Sequence, residues 1–287
     1  MYKQFTFAEN MKRFTIIACI SFTLLSSGIL AQGHSLVKKW ETGPEFKIPE
    51  SVLFDAKEKI LYVSNMDGDP AKKDGKGSIS KVSVDGKIIS ADWITGLNAP
   101  KGMGLYKNKL YVADLTEVVV IDVEKAKIVQ HIPIERSVFL NDITIDKRGA
   151  VYVSDTRANN VYRIEKGFVV TLIQKLQEPN GLLAVGDELL ILDKGSLLKM
   201  LASGSVTSVT EGMDPNTDGI EPVKPNEYIV SSWSGVLYYI YANGGKQTLL
   251  DTRAQKINAA DIAYDPKNRM VYVPTLFNNS VVAYELR

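Results

Sequence analysis

Cysteine and histidine are scarce in this sequence. Its 287 residues include one cysteine, Cys19, and two histidines, His34 and His131. This small inventory excludes a disulfide framework, most zinc sites, a cysteine–histidine nucleophile pair and a serine–histidine–aspartate triad. A catalytic site in this chain would have to be built from other side chains.

An excess of charge of either sign is also missing. The chain has 34 Lys and Arg residues against 33 Asp and Glu, which gives a formal net charge of +1. A protein that follows a nucleic-acid backbone needs a broad basic surface, so we expect no nucleic-acid partner. The hydrophobic fraction of 45% is that of a globular chain, long enough for one large domain or two small ones.

A long apolar run occurs near the amino terminus. Two basic residues precede an apolar stretch over residues 14–30, which ends in small residues at Ala31. This order is typical of a secretory signal peptide, and a single membrane anchor is the alternative. We predict a signal peptide over residues 1–31 and one mature domain over residues 32–287. The mature protein is expected in the periplasm or secreted, without stable membrane insertion, and with His34 disordered.

The rest of the chain repeats with a period near 40 residues. A short apolar strand ending in a small, polar or acidic residue recurs six times, with last residues Asn65, Asp114, Asp155, Asp193, Ser232 and Thr275. Spacings of 49, 41, 38, 39 and 43 residues indicate a solenoid, an array or a propeller. Each copy is rich in β-branched and aromatic residues and lacks helical periodicity. Four strands fit one period, which predicts an all-β, six-bladed β-propeller with four-stranded blades.

The two ends of the repeat predict how the ring closes. After Ala260 only 27 residues remain, which is room for three strands. The strand-like segment 36–41 would supply the missing outer strand, so we expect it to pair beside residues 281–284. The first period is longer than the others, and we assign the excess to a surface loop over residues 66–77.

Polar residues occupy equivalent positions one strand earlier in each copy. Alignment of the apolar residues puts six residues in one column: Glu50, Lys101, Asn141, Asn180, Asp218 and Ala260. We expect these strands to be innermost, so that five polar side chains meet at one mouth of the central channel. Asp142 and Asp261 occupy the next column, where strand alternation predicts that they point away from the channel and form structural hydrogen bonds.

This column predicts a metal site. Glu50 and Asp218 would repel each other in a narrow channel, and desolvation would disfavour both charges. A cation relieves both costs, and Asn141 and Asn180 add neutral amide oxygens. We therefore predict one divalent cation, Ca²⁺ before Mg²⁺ or Mn²⁺, bound by these four residues. The alternative is that each Asn or Asp only caps a turn.

The motifs around these residues resemble a known family. Four segments carry the resemblance: Pro49-Glu50, Leu140-Asn141-Asp142, Pro179-Asn180-Gly181 and Thr217-Asp218-Gly219. Their order is similar to that of the senescence marker protein/gluconolactonase-like family and of diisopropyl fluorophosphatase, over residues 49–287. The resemblance implies a calcium-dependent six-bladed propeller hydrolase with Glu50, Asn180 and Asp218 on the metal. It implies that Asn141 is a further ligand or a substrate contact.

Together these observations predict a divalent-metal-dependent hydrolase of lactones or related esters. The metal would polarise the carbonyl, and Asp218 would be catalytic, activating water or attacking directly. Lys101, Asn141 and Trp233 are predicted to contact a small-molecule substrate, and Met66 and Phe277 to lie at the pocket wall. One alternative is an exported binding or scaffold propeller with a structural metal. Another is a propeller that resembles strictosidine synthase.

Overall fold

The chain folds as a six-bladed β-propeller, as predicted. The computed structural model describes residue 1 and residues 33–287, so the predicted signal peptide, apart from residue 1, lies outside the described residues. Within residues 33–287, twenty-four strands form six antiparallel sheets of four strands each. Two short 3₁₀ helices, Arg253–Gln255 and Leu276–Asn278, are the only helices in this part of the chain. Neither is long or apolar enough to cross a membrane.

The strands follow one another blade by blade. Before blade one comes β1 (Leu36–Glu41). Blades one to three contain β2 (Pro49–Asp55), β3 (Ile60–Asn65), β4 (Gly77–Ser83), β5 (Ile88–Leu97), β6 (Pro100–Tyr106), β7 (Lys109–Asp114), β8 (Glu117–Asp122), β9 (Lys127–Pro133), β10 (Leu140–Ile145), β11 (Val151–Asp155), β12 (Asn160–Glu165) and β13 (Phe168–Ile173). Blades four to six contain β14 (Pro179–Val185), β15 (Glu188–Asp193), β16 (Ser196–Met200), β17 (Val206–Thr210), β18 (Thr217–Lys224), β19 (Glu227–Ser232), β20 (Val236–Ile240), β21 (Lys246–Asp251), β22 (Ala263–Asp265), β23 (Met270–Pro274) and β24 (Val281–Leu286).

The first strand closes the last blade. β1 pairs antiparallel with β24, and the sheet order of blade six is β1-β24-β23-β22. Leu36 lies opposite Leu286, and Glu41 lies opposite Val282. The predicted closure by residues 36–41 is therefore confirmed.

Six hydrophobic clusters form a ring, one at each interface between neighbouring blades, and a seventh joins Met66, Ala99, Leu115, Ala260 and Leu276. Strand alternation sends successive side chains of a middle strand to opposite faces of its sheet, so each blade packs against both of its neighbours. Between blades one and two, for example, Tyr62 and Ile79 pack with Val112 and Val119. This arrangement leaves the propeller axis to the side chains of the innermost strands.

Five of the six innermost strands carry a β-bulge near their start. The register against the second strand shifts within residues 49–51, 100–103, 140–143, 179–182 and 217–220. A bulge bends the strand and changes the direction of its side chains. The bulges contain the five polar residues of the column identified in the sequence: Glu50, Lys101, Asn141, Asn180 and Asp218.

Buried serines stabilise the bulges of blades one, three and five. Ser64, Ser154 and Ser231 lie at equivalent positions of the second strands and are fully buried. Their hydroxyls accept hydrogen bonds of 3.0, 2.9 and 2.8 Å from the backbone N–H that follows Glu50, Asn141 and Asp218. The N–H groups that the bulges remove from the strand ladder are thereby satisfied inside the protein.

Replacement of Trp40 tests how much the closing strand contributes to stability. The Trp40 ring lies 5.8 Å from the ring of Tyr272 in blade six, and its Nε1 donates to the Val84 carbonyl of blade one at 3.1 Å. Trp40→Ala should lower the free energy of unfolding by about 2–4 kcal/mol, because it removes packing and a hydrogen bond at once. Urea denaturation measures this change.

Lys39→Ala is the matched control in the same strand. Its side chain is 44% exposed and pairs with Glu285 at the surface, so its effect should stay within about 0.5 kcal/mol. Equal effects of the two substitutions would show that β1 adds little to the stability of the ring.

Candidate functional site

The starts of the innermost strands surround a cavity of about 290 Å³. Its wall contains the five polar residues predicted to meet there: Glu50, Lys101, Asn141, Asn180 and Asp218. Loops between strands supply the remaining wall: Met66, Pro70, Phe139, Thr156, Trp233 and Leu276. We call this space the upper cavity.

Carboxylates at the ends of second strands fix the loops that lead to these polar residues. Asp114 accepts a hydrogen bond from the backbone N–H of Ala99 at 2.7 Å, just before Lys101. Asp193 does the same with Glu178 at 2.7 Å, just before Asn180. Asp155 makes the same contact with Phe139 at 2.9 Å, so in blades two, three and four a carboxylate ties the end of the second strand to the loop before the innermost strand.

The two asparagines of the cavity have their amide nitrogens bonded to protein. Asn180 Nδ2 donates to Asp218 Oδ1 at 3.0 Å, and Asn141 Nδ2 donates to Thr156 Oγ1 at 2.9 Å. Thr156 in turn donates to the Pro179 carbonyl at 2.8 Å. Asn180 Oδ1 is buried and has no hydrogen-bond partner. Both amides are therefore oriented with nitrogen bonded to the protein, which leaves the oxygens for a ligand.

Glu50 and Asp218 lie in the cavity with little access to water. Their exposed fractions are 7% and 3%. Burial raises the pKa of Glu50 well above its ordinary value; the Asp218 carboxylate raises it further, and Lys101 opposes the shift. Burial is also the main cause that raises the pKa of Asp218, and Asp261 adds to it. Glu50 Oε2 is buried without a hydrogen-bond partner.

These donors are of the type that a hard divalent cation prefers. Two carboxylates and two amide oxygens line one cavity, and an oxygen of Glu50 and one of Asn180 lack any partner. Within residues 33–287, no three His, Cys, Asp or Glu side chains are grouped so that they could hold a metal. An ion at this site would therefore depend on the amides of Asn141 and Asn180 as well as on the carboxylates.

Lys101 is a buried cation that donates to two backbone carbonyls. It is 1% exposed, and its Nζ donates to the carbonyls of Ala99 at 2.9 Å and Pro70 at 3.3 Å. The same Nζ lies 4.3 Å from the centroid of the Phe139 ring. Burial lowers the pKa of Lys101 to about 8. Lys101 thus holds the loop over residues 66–77 beside the cavity, and this predicted surface loop supplies part of the wall through Pro70.

The apolar residues predicted at the pocket wall differ in their position. Trp233 lines the upper cavity and stays 41% exposed, and Met66 lines it as a buried residue. Phe277 does not line it and is 69% exposed, because the 3₁₀ helix presents Leu276 to the cavity instead. The prediction that Phe277 lies at the pocket wall is therefore wrong, because its neighbour Leu276 occupies that place.

Phe139 and Thr156 line the cavity although the sequence interpretation did not single them out. Phe139 precedes Leu140-Asn141, and Thr156 follows Asp155 at the end of the next strand. Their proximity in sequence to Asn141 and to a strand end is the signal that could have identified them.

Asp142 and Asp261 line the central channel, which corrects the prediction that they point away from it. A second cavity of about 160 Å³ contains both carboxylates and residues from all six blades. In blade three the bulge breaks strict alternation, so consecutive side chains can face the axis. Asp261 lies before the regular part of the innermost strand of blade six, where alternation does not apply. The predicted hydrogen bonding is confirmed: Asp142 accepts from the backbone N–H of Ile143 and Leu182 at 2.6 Å each, and Asp261 accepts from Ser51 Oγ at 2.5 Å.

Both histidines lie outside the upper cavity. His34 stacks on Tyr239 with ring centroids 3.8 Å apart, and its backbone N–H donates to Gln247 at 3.0 Å. The expectation that His34 is disordered is therefore wrong. His131 lies in the outer strand of blade two, 3.2 Å from Glu117.

Comparison with known proteins shows the fold and no family. No protein family matches the sequence, and no curated protein matches it. A streptogramin B lyase structure is similar with a TM-score of 0.65 and 12% identity, covering 89% of this chain and 98% of that chain. A catalytically inactive histidine-to-alanine variant of virginiamycin B lyase from Staphylococcus aureus, with quinupristin, has a TM-score of 0.60 at 12% identity, covering 88% and 99%. A nidogen/laminin complex has a TM-score of 0.63 at 18% identity, covering 75% and 84%.

Replacement of Asp261 should flatten the pH dependence of stability. Burial raises the pKa of Asp261 from 3.8 to about 7, so the folded state keeps a proton that the unfolded state releases between these values. The stabilising effect of this proton is complete below about pH 4 and is lost as the pH rises to about 7. With chelator present, the free energy of unfolding should fall less over this range in Asp261→Asn than in the wild type. Urea denaturation at a series of pH values measures it.

Asp187→Asn is the control for the loss of an aspartate charge. Its side chain is 60% exposed, so this variant should follow the wild-type pH curve. Parallel curves for wild type and Asp261→Asn would contradict a raised pKa at Asp261.

Proposed function

We propose that the upper cavity binds one divalent cation, Ca²⁺ before Mg²⁺ or Mn²⁺, and that the protein hydrolyses a lactone or a related ester there. Glu50, Asn141, Asn180 and Asp218 would hold the cation. The observation that supports this proposal is the pair of buried oxygens without partners, Glu50 Oε2 and Asn180 Oδ1, in a cavity that also holds two repelling carboxylates. A cation supplies the missing partner to both oxygens and offsets the repulsion.

The chemistry would divide between the cation and the chain. A bound divalent cation polarises an ester carbonyl and stabilises the charge that develops on its oxygen. Asn180 fixes Oδ1 of Asp218, so the other carboxylate oxygen is the one that can take a proton from water. The water oxygen then bonds to the carbonyl carbon, the acyl C–O bond breaks, and the leaving oxygen takes up a proton.

The size and wall of the cavity favour a small substrate. A volume of about 290 Å³ is near the lower end of the range for small-molecule sites. Met66, Trp233 and Leu276 form an apolar side against which a carbon skeleton can pack, while the oxygens of the predicted ligand set lie in the same cavity.

The reaction of the lyase neighbours does not carry over to this chain. The inactive S. aureus lyase carries a histidine-to-alanine substitution. In this chain no histidine lines the upper cavity. Because similarity at 12% identity shows the fold alone, we do not transfer a histidine-dependent reaction to this chain.

We also propose that the protein is exported, because the amino-terminal sequence has the order of a signal peptide. Amino-terminal sequencing of secreted or periplasmic material should give a start near Gln32. Recovery of the intact amino terminus in washed membranes would favour the anchor instead.

Removal of the Asp218 carboxylate should weaken cation binding and hydrolysis but should stabilise the protein when no cation is present. Asp218→Asn keeps the size of the side chain but removes a charge and a base. Binding of Ca²⁺ should weaken at least tenfold by calorimetry, because a charged ligand is lost. Lactone hydrolysis should fall by about 10²-fold or more. With chelator present, the variant should be more stable than wild type near neutral pH, because a buried charge is gone.

Glu58→Gln is the matched control. Glu58 has 51% side-chain exposure and pairs with Lys57 at the surface, so Ca²⁺ binding and hydrolysis should be unchanged. The assay uses a panel of lactones and aryl esters with chelator and with each metal added back. Equal hydrolysis after exhaustive chelation would contradict the metal-dependent reaction. Metal-dependent thermal stabilisation with no hydrolysis of any panel member would identify a binding or scaffold propeller.

A further inference from the structure

A second cation lies over the same aromatic ring as Lys101. Phe139 lines the upper cavity, and the guanidinium carbon of Arg157 lies 4.2 Å from its ring centroid, against 4.3 Å for Lys101 Nζ. The two cations differ in access to solvent, since Lys101 is buried and Arg157 is exposed. Arg157 therefore lies beside the cavity wall on the solvent side.

The backbone on both sides of this stack is fixed by one carboxylate. Asp155 accepts hydrogen bonds from the backbone N–H of Phe139 at 2.9 Å and of Ala158 at 3.0 Å. The backbone N–H of Thr156 also donates to the Phe139 carbonyl at 3.1 Å. The segments that carry Phe139 and Arg157 are thus tied together, and the guanidinium is positioned before any ligand arrives.

The guanidinium of Arg157 forms no ion pair and no hydrogen bond with any residue in the part of the chain that the structure describes. By contrast, Arg148 pairs with Asp146, and Arg253 pairs with Asp251. Five N–H donors of Arg157 are therefore available to solvent or to a ligand, in a planar fork that matches a carboxylate or a phosphate.

The solvent side of the site carries an exposed positive charge. Lys101 is buried, faces the Asp114 carboxylate and donates to two backbone carbonyls. Arg157 is exposed beside Phe139, so its guanidinium is the positive group that an incoming ligand meets first. An exposed positive charge beside a cavity attracts anionic ligands.

We propose that Arg157 binds an anionic group of the substrate at the mouth of the upper cavity, while the ester carbonyl lies among Glu50, Asn180 and Asp218. This inference rests on the proposed function and narrows the substrate class to lactones or esters that carry a carboxylate or a phosphate. Arg157 is then the residue that selects them over neutral analogues.

The test compares three lactones that share one ring and differ in a single substituent. γ-Butyrolactone with a hydroxymethyl, a carboxylate or a phosphoryloxymethyl group at the ring carbon next to oxygen separates a neutral substrate from the two anions. In the wild type, kcat/KM for at least one anionic lactone should exceed that for the neutral lactone about tenfold or more. The difference should appear in KM, because the anion contributes to binding. Arg157→Gln should reduce the ratio of anionic to neutral kcat/KM about tenfold, and the two anions distinguish carboxylate from phosphate recognition.

Arg136→Gln is the control for the same loss of charge. Arg136 is exposed in the loop before Phe139 but does not stack on that ring, so the ratio should stay at the wild-type value. Calorimetry adds a measurement without turnover, with 2-hydroxyglutarate and inorganic phosphate as probes. Binding of at least one probe should weaken about tenfold in Arg157→Gln and stay unchanged in Arg136→Gln.

The outcomes separate this inference from the proposed function. Equal hydrolysis of all three lactones, with no change of the ratio in Arg157→Gln, would overturn the anion site and leave the hydrolase proposal intact. Binding of a probe that depends on Arg157, with no hydrolysis of these lactones or of any member of the lactone and aryl ester panel, would support the anion site and overturn the hydrolase proposal. Probe binding that is equal in wild type and Arg157→Gln would overturn the role of Arg157.

Discussion

Carboxylates on the axis of this propeller lie close together with little access to solvent. Glu50 and Asp218 lie in the upper cavity, and Asp142 and Asp261 lie in the second cavity along the same channel. Burial and mutual repulsion act on them together, so each needs a partner inside the protein or a proton. Three kinds of partner stabilise these carboxylates. Asp142 and Asp261 accept hydrogen bonds from the backbone and from Ser51. Glu50 has the positive charge of Lys101 nearby, and the proposed cation would lie between Glu50 and Asp218.

Much of the fold could be predicted from the sequence because the propeller repeats one unit. A period near 40 residues gives the number of blades, and the short last copy shows that a strand has to come from elsewhere, which the pairing of β1 with β24 confirms. The polar column was also visible, since equivalent residues of a closed ring must meet at its axis. The direction of Asp142 could not be predicted, because a bulge depends on pairing with the next strand rather than on the residues of its own strand. Asp261 lies before the regular part of its strand, and the repeat does not show where that regular part begins.

Contacts made by loops could not be predicted from the sequence either. The sequence placed Lys101 in the polar column, but not the Pro70 carbonyl that occupies one of its donors, because periodicity says nothing about the path of an irregular loop. The stack of Arg157 on Phe139 likewise joins two loops of different strands. The upper cavity therefore has a part set by the repeat, which holds the oxygens and Lys101, and a part set by loops, which holds Pro70 and Phe139 with Arg157 stacked beside it. The second part can change between propellers without disturbing the first.

The pairing of β1 with β24 also determines the order in which the molecule can fold. Each of the first five blades consists of strands that are consecutive in the chain, so it can form from local contacts as soon as its four strands are present. The sixth blade cannot, because Leu36 has to find Leu286 at the other end of the polypeptide. During synthesis β1 leaves the ribosome first and obtains its partner last, so until then the growing chain carries an unpaired strand at its front. Until the ring closes, β1 and β24 each present an unpaired strand edge, and such edges favour aggregation.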